Sequence, residues 1–250
     1  MDAACSMPIR PRQVSTDTIM VCGHDLVDEI IGQWSFADLV FTVITNGERP
    51  SAGKLRMTEA LLSTFVDHGV TPSSLATRLT LLGSPEAMQA AIAAGLSGAG
   101  SRYLGTMQTV GEMLADALAR AETGSELPDI ANDVVTSHRI AVEQIPGLGH
   151  PEHKSGDPRT PKLVEIARGT GCYGEHCKLL FEIAKSYSAA TGRSLPVNAA
   201  GVAGAIVLDM GLPPEAGRGL ALISRAAGLV GVALSEMRDP TAQKIWDSLR

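Results

Sequence analysis

The loop at residues 145–161 carries the side chains best suited to chemistry. His150 follows Gly147-Leu148-Gly149, so the backbone beside it can approach a ligand closely. Its imidazole could act as a general acid or hydrogen-bond donor near neutral pH, or be a surface histidine without a ligand. Arg159, in the triplet Asp157-Pro158-Arg159, could hold a carboxylate with two parallel hydrogen bonds or form a salt bridge with Asp157.

Two residues outside this loop could also bind an anion. His68 stands at a predicted helix end before Gly69, where it either donates to an anion or interacts only with the helix dipole. Arg225 lies in the otherwise small and apolar run 220–234. A charge among such neighbours needs a partner if it is buried. For Arg225 this partner is either a bound carboxylate or an internal salt bridge.

One cluster of cysteine and histidine is a weak candidate for a metal site. Cys172 and Cys177 flank His176, but their spacing is wider than C-x-x-C and no second cysteine pair completes a tetrahedral site. The sequence also lacks a P-loop, a G-x-G-x-x-G after a strand, and a G-x-S-x-G. We therefore expect no metal site and no tightly bound cofactor.

The candidate residues must be positioned by helices, because helical signals dominate the chain. Apolar residues recur at helical spacing between start and stop signals over 54–68, 73–82, 85–95, 107–122, 128–143, 160–170, 175–191, 198–210, 213–239 and 242–249. Strand signals are confined to the short runs 18–21 and 40–44, and residues 1–16 are expected to form a loose arm. The sequence therefore predicts an all-α chain.

Composition and charge exclude several functional classes. The 250 residues are 44% hydrophobic but only 4% aromatic, and the formal net charge is −6. This balance argues against a nucleic-acid partner. No run reaches the roughly 18 to 20 apolar residues of a membrane span, and residues 1–12 lack the apolar core of a secretory signal. The four cysteines are few for a disulfide framework, so we expect a cytoplasmic protein that binds neither nucleic acid nor membrane.

Taken together, the motifs resemble those of the citrate synthase family. Gly147-Leu148-Gly149-His150, followed by Lys154 and then Asp157-Pro158-Arg159, is similar to the family signature G-x-G-H…D-P-R. The segment 223–228, I-S-R-A-A-G, and the pair Asp67-His68 followed by 71–78 look like further segments of the family. The short length is more similar to the citryl-CoA lyase branch than to full-length synthases.

The resemblance implies a role for each matching residue. In the family the equivalents of His68, His150, Arg159 and Arg225 surround the oxaloacetate end of the substrate. Two guanidinium groups would then hold carboxylates, and two imidazoles would polarise a keto or hydroxyl oxygen. Lys154 falls in the stretch that contacts coenzyme A, where a cation suits a phosphate. The implied partner is a small di- or tricarboxylate or its coenzyme A thioester.

Two positions depart from the family pattern. Tyr103 stands where the family has a histidine that helps to enolise the thioester, and Ala200 falls where it has a catalytic aspartate. We therefore expect a citryl-CoA lyase-like enzyme that cleaves or forms a C–C bond to an oxaloacetate-like 2-oxo acid, with Tyr103 donating a hydrogen bond to the enolate oxygen. One alternative is a diverged lyase or hydrolase acting on another, CoA-free carboxylate. Another is a non-catalytic carboxylate-binding protein.

The resemblance also implies an architecture. The fold would be all-α and citrate synthase-like, with a large helical domain formed by residues 17–104 and 212–250. Residues 105–211 would form a smaller helical domain. The family is dimeric, and the stretch 86–100, rich in Ala and Gly, suits close helix pairing in a homodimer.

Overall fold

The structure, a computed structural model, describes residues 17–101, 104–150 and 153–249. Within these ranges the chain is predominantly α-helical, which confirms the predicted all-α class. The predicted loose arm 1–16 and Tyr103 lie outside the described residues.

The elements are short and mostly helical. A two-stranded antiparallel hairpin, β1 (Met20–Val21) and β2 (His24–Asp25), leads into a π-helix, Leu26–Ile30. The helices that follow are α1 (Phe36–Ile44), α2 (Ala52–Thr64), α3 (Pro72–Gly83), α4 (Met88–Ser97), α5 (Thr106–Arg120), α6 (Leu127–Ala141), α7 (Arg159–Thr170), α8 (Glu175–Thr191), α9 (Ala199–Asp209), α10 (Pro214–Arg238) and α11 (Ala242–Asp247).

The strand signal at 40–44 was wrong, because these residues form the second half of α1. Ser35 begins this helix with a capping box, in which its side chain accepts the Asp38 N–H while the Asp38 carboxylate accepts the Ser35 N–H. The cap and the burial of Ala37, Val40 and Phe41 at helical spacing outweigh the β-branched composition of the segment.

The chain divides between Glu59 and Ala60 into two compact units. The second unit contains all of the candidate site residues that the structure describes. The predicted division into domains at 104 and 212 stays a prediction.

Helix α10 is central in the second unit, where it packs against α3, α4, α5 and α9. Glycines allow these helices to approach closely. A methyl group at Gly228 of α10 would overlap the carbonyl of Val66, and one at Gly204 of α9 would overlap the carbonyl of Met107. Helix α9, almost entirely buried, packs in turn against α5, α7 and α8.

The prediction that no segment is long and apolar enough to cross a membrane needs correction. By length and composition alone α10 passes that test, because its many apolar residues outweigh Arg225 and the charged residues near its ends. Within the described residues, however, α10 buries Leu220, Leu229 and Ala233 against other helices, as the core helix of a bundle does.

Candidate functional site

The segment before His150 is tied to the start of α9 by backbone and side-chain hydrogen bonds. The Gly149 N–H donates to the Pro196 carbonyl at 2.7 Å, and the Asn198 N–H donates to the Gly147 carbonyl at 2.9 Å. The Asn198 amide nitrogen also donates to the Gly149 carbonyl at 2.6 Å. Gly147 and Gly149 have φ of +83° and +75°, a backbone conformation that favours glycine. The sequence therefore needs both glycines to place His150.

Close packing holds this segment in place as well. A Cβ atom added to Gly201, in the first turn of α9, would lie 2.6 Å from the Gly147 carbonyl oxygen. The two backbones thus meet where only glycines fit, and the position of His150 depends on α9.

His150 has two other histidines against its ring. The ring centroid of His153 lies 4.5 Å away, and that of the exposed His68 lies 5.8 Å away in a stacked arrangement. The backbone N–H of His153 donates to Nδ1 of His150 at 3.1 Å. A backbone N–H can only donate, so Nδ1 must be unprotonated, and the neutral ring carries its proton on Nε2.

The surroundings of His150 favour the neutral ring. Burial lowers the pKa of His150, and the positive charges of Arg159 and of protonated His153 and His68 lower it further, while the Asp157 carboxylate opposes them. At pH 7 the imidazole is therefore a neutral hydrogen-bond donor through Nε2. A neutral imidazole in this form polarises a carbonyl oxygen by donating a hydrogen bond from Nε2.

Arg159 makes the salt bridge with Asp157 that the sequence left open as one alternative. Its Nε and Nη2 donate to the two carboxylate oxygens at 3.0 and 2.9 Å. A guanidinium group has a second edge, formed by Nη1 and Nη2, and the Arg159 side chain is 28% exposed. The salt bridge therefore orients Arg159 without using all of its donors.

Asp157 is the residue that connects α7, α9 and the His150 loop. It is 3% exposed, and its carboxylate also accepts the Ala199 N–H at 3.0 Å. Burial by itself raises the pKa of Asp157, but the hydrogen bonds from Arg159 and Ala199 outweigh burial and lower the pKa to about 2. Next to it, the Thr160 hydroxyl donates to the Val197 carbonyl at 3.1 Å.

Arg225 is a buried cation that forms no salt bridge among the described residues. It is 7% exposed, and its Nη1 donates to the Ser73 hydroxyl at 3.4 Å. Its Nε is buried and has no hydrogen-bond partner within the described ranges. Of the two alternatives for Arg225, no internal salt bridge is present among the ion pairs of the described residues.

A cavity of about 60 Å³ lies beside this guanidinium, lined also by His68, Ser73 and Leu104. Burial lowers the pKa of Arg225, the Asp67 carboxylate opposes this effect, and Arg159 lies close enough for its charge to lower the pKa further. An arginine nevertheless remains charged at neutral pH. A buried charge with an orphaned N–H beside a cavity is suited to an anion.

His150 and Lys154 together line a larger cavity of about 480 Å³, with Tyr187, Leu195 and Pro196 among the other wall residues. Its volume is within the range of small-molecule sites. Lys154 is exposed at its edge. Of the residues singled out from sequence, the structure thus groups His68, His150, Arg159 and Arg225, and places Lys154 on a cavity that also contacts His150.

Sequence reasoning missed two contributions to this site. His153 sets the tautomer of His150, and the H-x-x-H spacing was the available signal. Asp157 was considered only as the partner of Arg159, although it also binds the start of α9. Ala200 lies one residue after that contact, in the first turn of α9.

The Cys172–Cys177 segment has a structural role. The buried Asp209 carboxylate accepts hydrogen bonds from the backbone N–H groups of Gly174 and Cys177 and, at 2.8 Å, from Nδ1 of His176. These bonds satisfy the N-terminal N–H groups of α8. Burial raises the pKa of the Cys177 thiol far above its ordinary value. Within the described ranges, no group of three or more His, Cys, Asp or Glu side chains is arranged to hold a metal ion.

Comparison with known proteins identifies the family of this chain and structures that share its fold. The family profile described as citrate synthase, C-terminal domain, matches residues 24–246. The chain aligns with the structure of citryl-CoA lyase from Hydrogenobacter thermophilus at a TM-score of 0.81 and 30% identity, over 91% of this chain and 85% of that one. No curated protein matches the chain in sequence.

Two more distant structures share the fold alone. ATP citrate lyase from Methanothrix soehngenii, solved in complex with citrate and coenzyme A, aligns at a TM-score of 0.75 and 18% identity over 95% of this chain and 40% of that one. Citrate synthase from Thermotoga maritima aligns at 0.67 and 16% identity over 84% of this chain and 55% of that one.

Proposed function

Because this chain belongs to the citrate synthase family, we propose that it is a carbon–carbon lyase of the citryl-CoA lyase type. The reaction cleaves citryl-CoA to an oxaloacetate-like 2-oxo acid and acetyl-CoA, or forms that bond in reverse. The observation that carries the proposal is the buried Arg225. Among the described residues it forms no salt bridge and its Nε has no hydrogen-bond partner, and it lines a cavity with His68. The similarity to citryl-CoA lyase, at 30% identity over 91% of the chain, supports the lyase assignment.

In this proposal the two arginines bind the carboxylates of the substrate. The orphaned Nε–H of Arg225 gains an acceptor, and a carboxylate replaces the charge partner that burial requires. Arg159 binds the substrate through the Nη1–Nη2 edge of its guanidinium group, because Asp157 is bound through the Nε–Nη2 edge. The 60 Å³ beside Arg225 suits a single carboxylate arm rather than the whole substrate.

His150 then acts on the oxygen at which the bond to carbon changes. During cleavage the tertiary hydroxyl gives its proton to solvent water, its oxygen becomes the keto oxygen, and the electron pair of the broken C–C bond moves into the thioester enolate. The enolate carbon then takes a proton from solvent water, so no proton is gained or lost overall. Since Nε2 of neutral His150 carries the hydrogen, this residue stabilises the negative oxygen as a donor rather than removing the hydroxyl proton. His68, whose ring stacks with that of His150, is proposed to donate to the same part of the substrate.

The thioester half is proposed to lie towards Lys154 and the 480 Å³ cavity, with coenzyme A as part of the substrate rather than as a bound cofactor. Lys154 would contact a phosphate. Tyr103 would donate to the enolate oxygen, since a phenol with a reference pKa of about 10 is a better donor than base near pH 7.

A second candidate function is favoured by one residue. Ala200 cannot exchange a proton, so the substrate could be a CoA-free carboxylate cleaved by a diverged lyase or hydrolase. The same alanine is consistent with a protein that binds carboxylates without turnover. We rank citryl-CoA cleavage first because the similarity to a citryl-CoA lyase extends over nine-tenths of the chain.

The decisive experiment is an assay of the purified chain with citryl-CoA, in which release of oxaloacetate is followed by a malate dehydrogenase-coupled loss of NADH absorbance. Arg225→Gln should abolish turnover. Arg238→Gln is the matched control, because Arg238 is exposed at the end of the same helix. Absence of turnover in the unmodified protein would refute the lyase assignment. Cleavage of CoA-free β-hydroxy acids, or oxaloacetate binding without any turnover, would then identify which alternative holds.

We also propose that the chain acts as a cytoplasmic homodimer. Large apolar side chains are exposed on three helices of the second unit, among them Leu79 on α3, Leu234 and Met237 on α10, and Trp246 on α11. Burying them against a second copy would remove this apolar surface from water. Light scattering after size-exclusion chromatography should give a mass of twice the chain, and a monomer at micromolar concentration would refute this.

A further inference from the structure

His153 makes two contacts with His150, and neither is used by the proposed chemistry itself. Its backbone N–H occupies Nδ1 of His150, and its ring packs against the His150 ring at 4.5 Å with a tilt of 34°. The half-buried His153 therefore restrains both the protonation state and the orientation of the neighbouring imidazole.

The restraint has a chemical consequence. If Nδ1 took up a proton, two N–H groups would face each other, and the hydrogen bond from His153 would be lost. A ring packed against another ring also has less freedom to rotate about its Cβ–Cγ bond. Both effects favour a His150 that presents Nε2–H in one direction.

The charged groups around His150 determine how this restraint responds to pH. His68 lies in the segment between α2 and α3, and Asp157 and Arg159 lie at the start of α7. His153 lies in the same loop as His150. Asp157 and Arg159 bind each other and largely cancel. The other two groups, His153 and His68, lower the pKa of His150 through their positive charge when protonated.

We propose that His153 is a positioning residue, which holds His150 in the Nε2–H form and in the orientation needed to donate to the substrate oxygen. The part of this proposal that concerns turnover rests on the proposed function. The part that concerns His150 itself does not, because tautomer and orientation exist in the protein without substrate.

Two substitutions separate packing from charge. His153→Phe keeps a ring and the backbone N–H but removes the charge, whereas His153→Ala removes the ring. We expect His153→Ala to lower kcat by about tenfold or more, as misplacement of a catalytic group does, with KM changed less than threefold, and His153→Phe to restore most of kcat. His138→Ala is the matched control, because His138 is half-buried in α6 and, among the described residues, bonds locally to the Val134 carbonyl.

The closing experiment is a pH titration of the imidazole nitrogens by ¹⁵N NMR in the full chain without substrate. In the unmodified protein His150 should show an unprotonated Nδ1 and a protonated Nε2. His153→Phe should move the His150 titration to higher pH because a nearby positive charge is lost. His153→Pro, which removes the backbone N–H that donates to Nδ1, should mix the two tautomers. A His150 whose tautomer and titration are unchanged in both variants would overturn the proposal, even if citryl-CoA is cleaved. Failure of turnover in the unmodified protein, with these NMR changes present, would refute the proposed function alone.

Discussion

Asp157→Asn tests whether one buried carboxylate holds the site together. The substitution keeps the shape of the side chain but removes the charge that binds Arg159 and accepts the Ala199 N–H. The pKa of Asp157 is lowered from its ordinary value of 3.8 to about 2. Since one pKa unit corresponds to about 1.4 kcal/mol, ionised Asp157 contributes about 2.5 kcal/mol to the free energy of unfolding at pH 7.

The sign of the pH dependence follows from the direction of this shift. The folded-state pKa lies below the unfolded one, so the contribution is fully present above about pH 4 and is lost as the pH falls towards 2. Asp157→Asn should therefore lower the free energy of unfolding by about 2.5 kcal/mol at pH 7, and the difference from the unmodified protein should shrink between pH 4 and 2.

Urea denaturation followed by circular dichroism at pH 7, 5, 4 and 3 measures this difference. Asp133→Asn is the matched control, because Asp133 is exposed on α6 and its loss should cost less than about 0.5 kcal/mol. The reasoning would be refuted if Asp157→Asn and Asp133→Asn were equally stable at pH 7. A cost that stayed constant down to pH 3 would contradict the assigned pKa.

Three further predictions concern the rest of the site. Arg225→Gln should weaken oxaloacetate binding by about tenfold or more in calorimetry without lowering the melting temperature, because it removes a buried charge that forms no salt bridge among the described residues. A large drop in melting temperature would contradict this. Gly201→Ala should lower the free energy of unfolding by about 1–3 kcal/mol, because the added methyl group would overlap the Gly147 carbonyl. Gly169→Ala on α7, where the added methyl group has open space, should raise the free energy of unfolding by about 0.5–1 kcal/mol. Equal effects of the two variants in urea denaturation would refute the packing argument. His150→Ala should abolish turnover in the coupled assay and leave the unfolding midpoint unchanged, and undiminished turnover would exclude the proposed role.

The helices could be predicted because their signals are local. Thr71 and Pro72 begin α3 as the sequence indicates, with the Thr71 side chain accepting the Ser74 N–H. The strand prediction for 40–44 was wrong because it used only the β-branched residues of the run, which favour strands in isolation. The capping box at Ser35 and the burial of apolar residues at helical spacing favour the helix α1 instead. The π-helix Leu26–Ile30 had no signal that the periodicity of apolar residues could reveal.

The residue types and their order, read from the sequence alone, determined the family, the all-α class and the candidate set His68, His150, Arg159 and Arg225. These properties depend on side-chain chemistry and short spacing, which a linear chain displays directly. The sequence could not show that Arg225 is buried with an Nε that has no hydrogen-bond partner among the described residues.

Only the tertiary structure decided how these side chains are prepared for chemistry. Asp157 receives a hydrogen bond from Ala199, 42 residues away, and Arg225 donates to Ser73, 152 residues away. Burial, pKa and tautomer depend on such partners. The partners meet only when α7 packs against α9 and α3 packs against α10. The same arginine or histidine can therefore be a surface residue or part of a binding site, and the difference lies in the packing rather than in the residue.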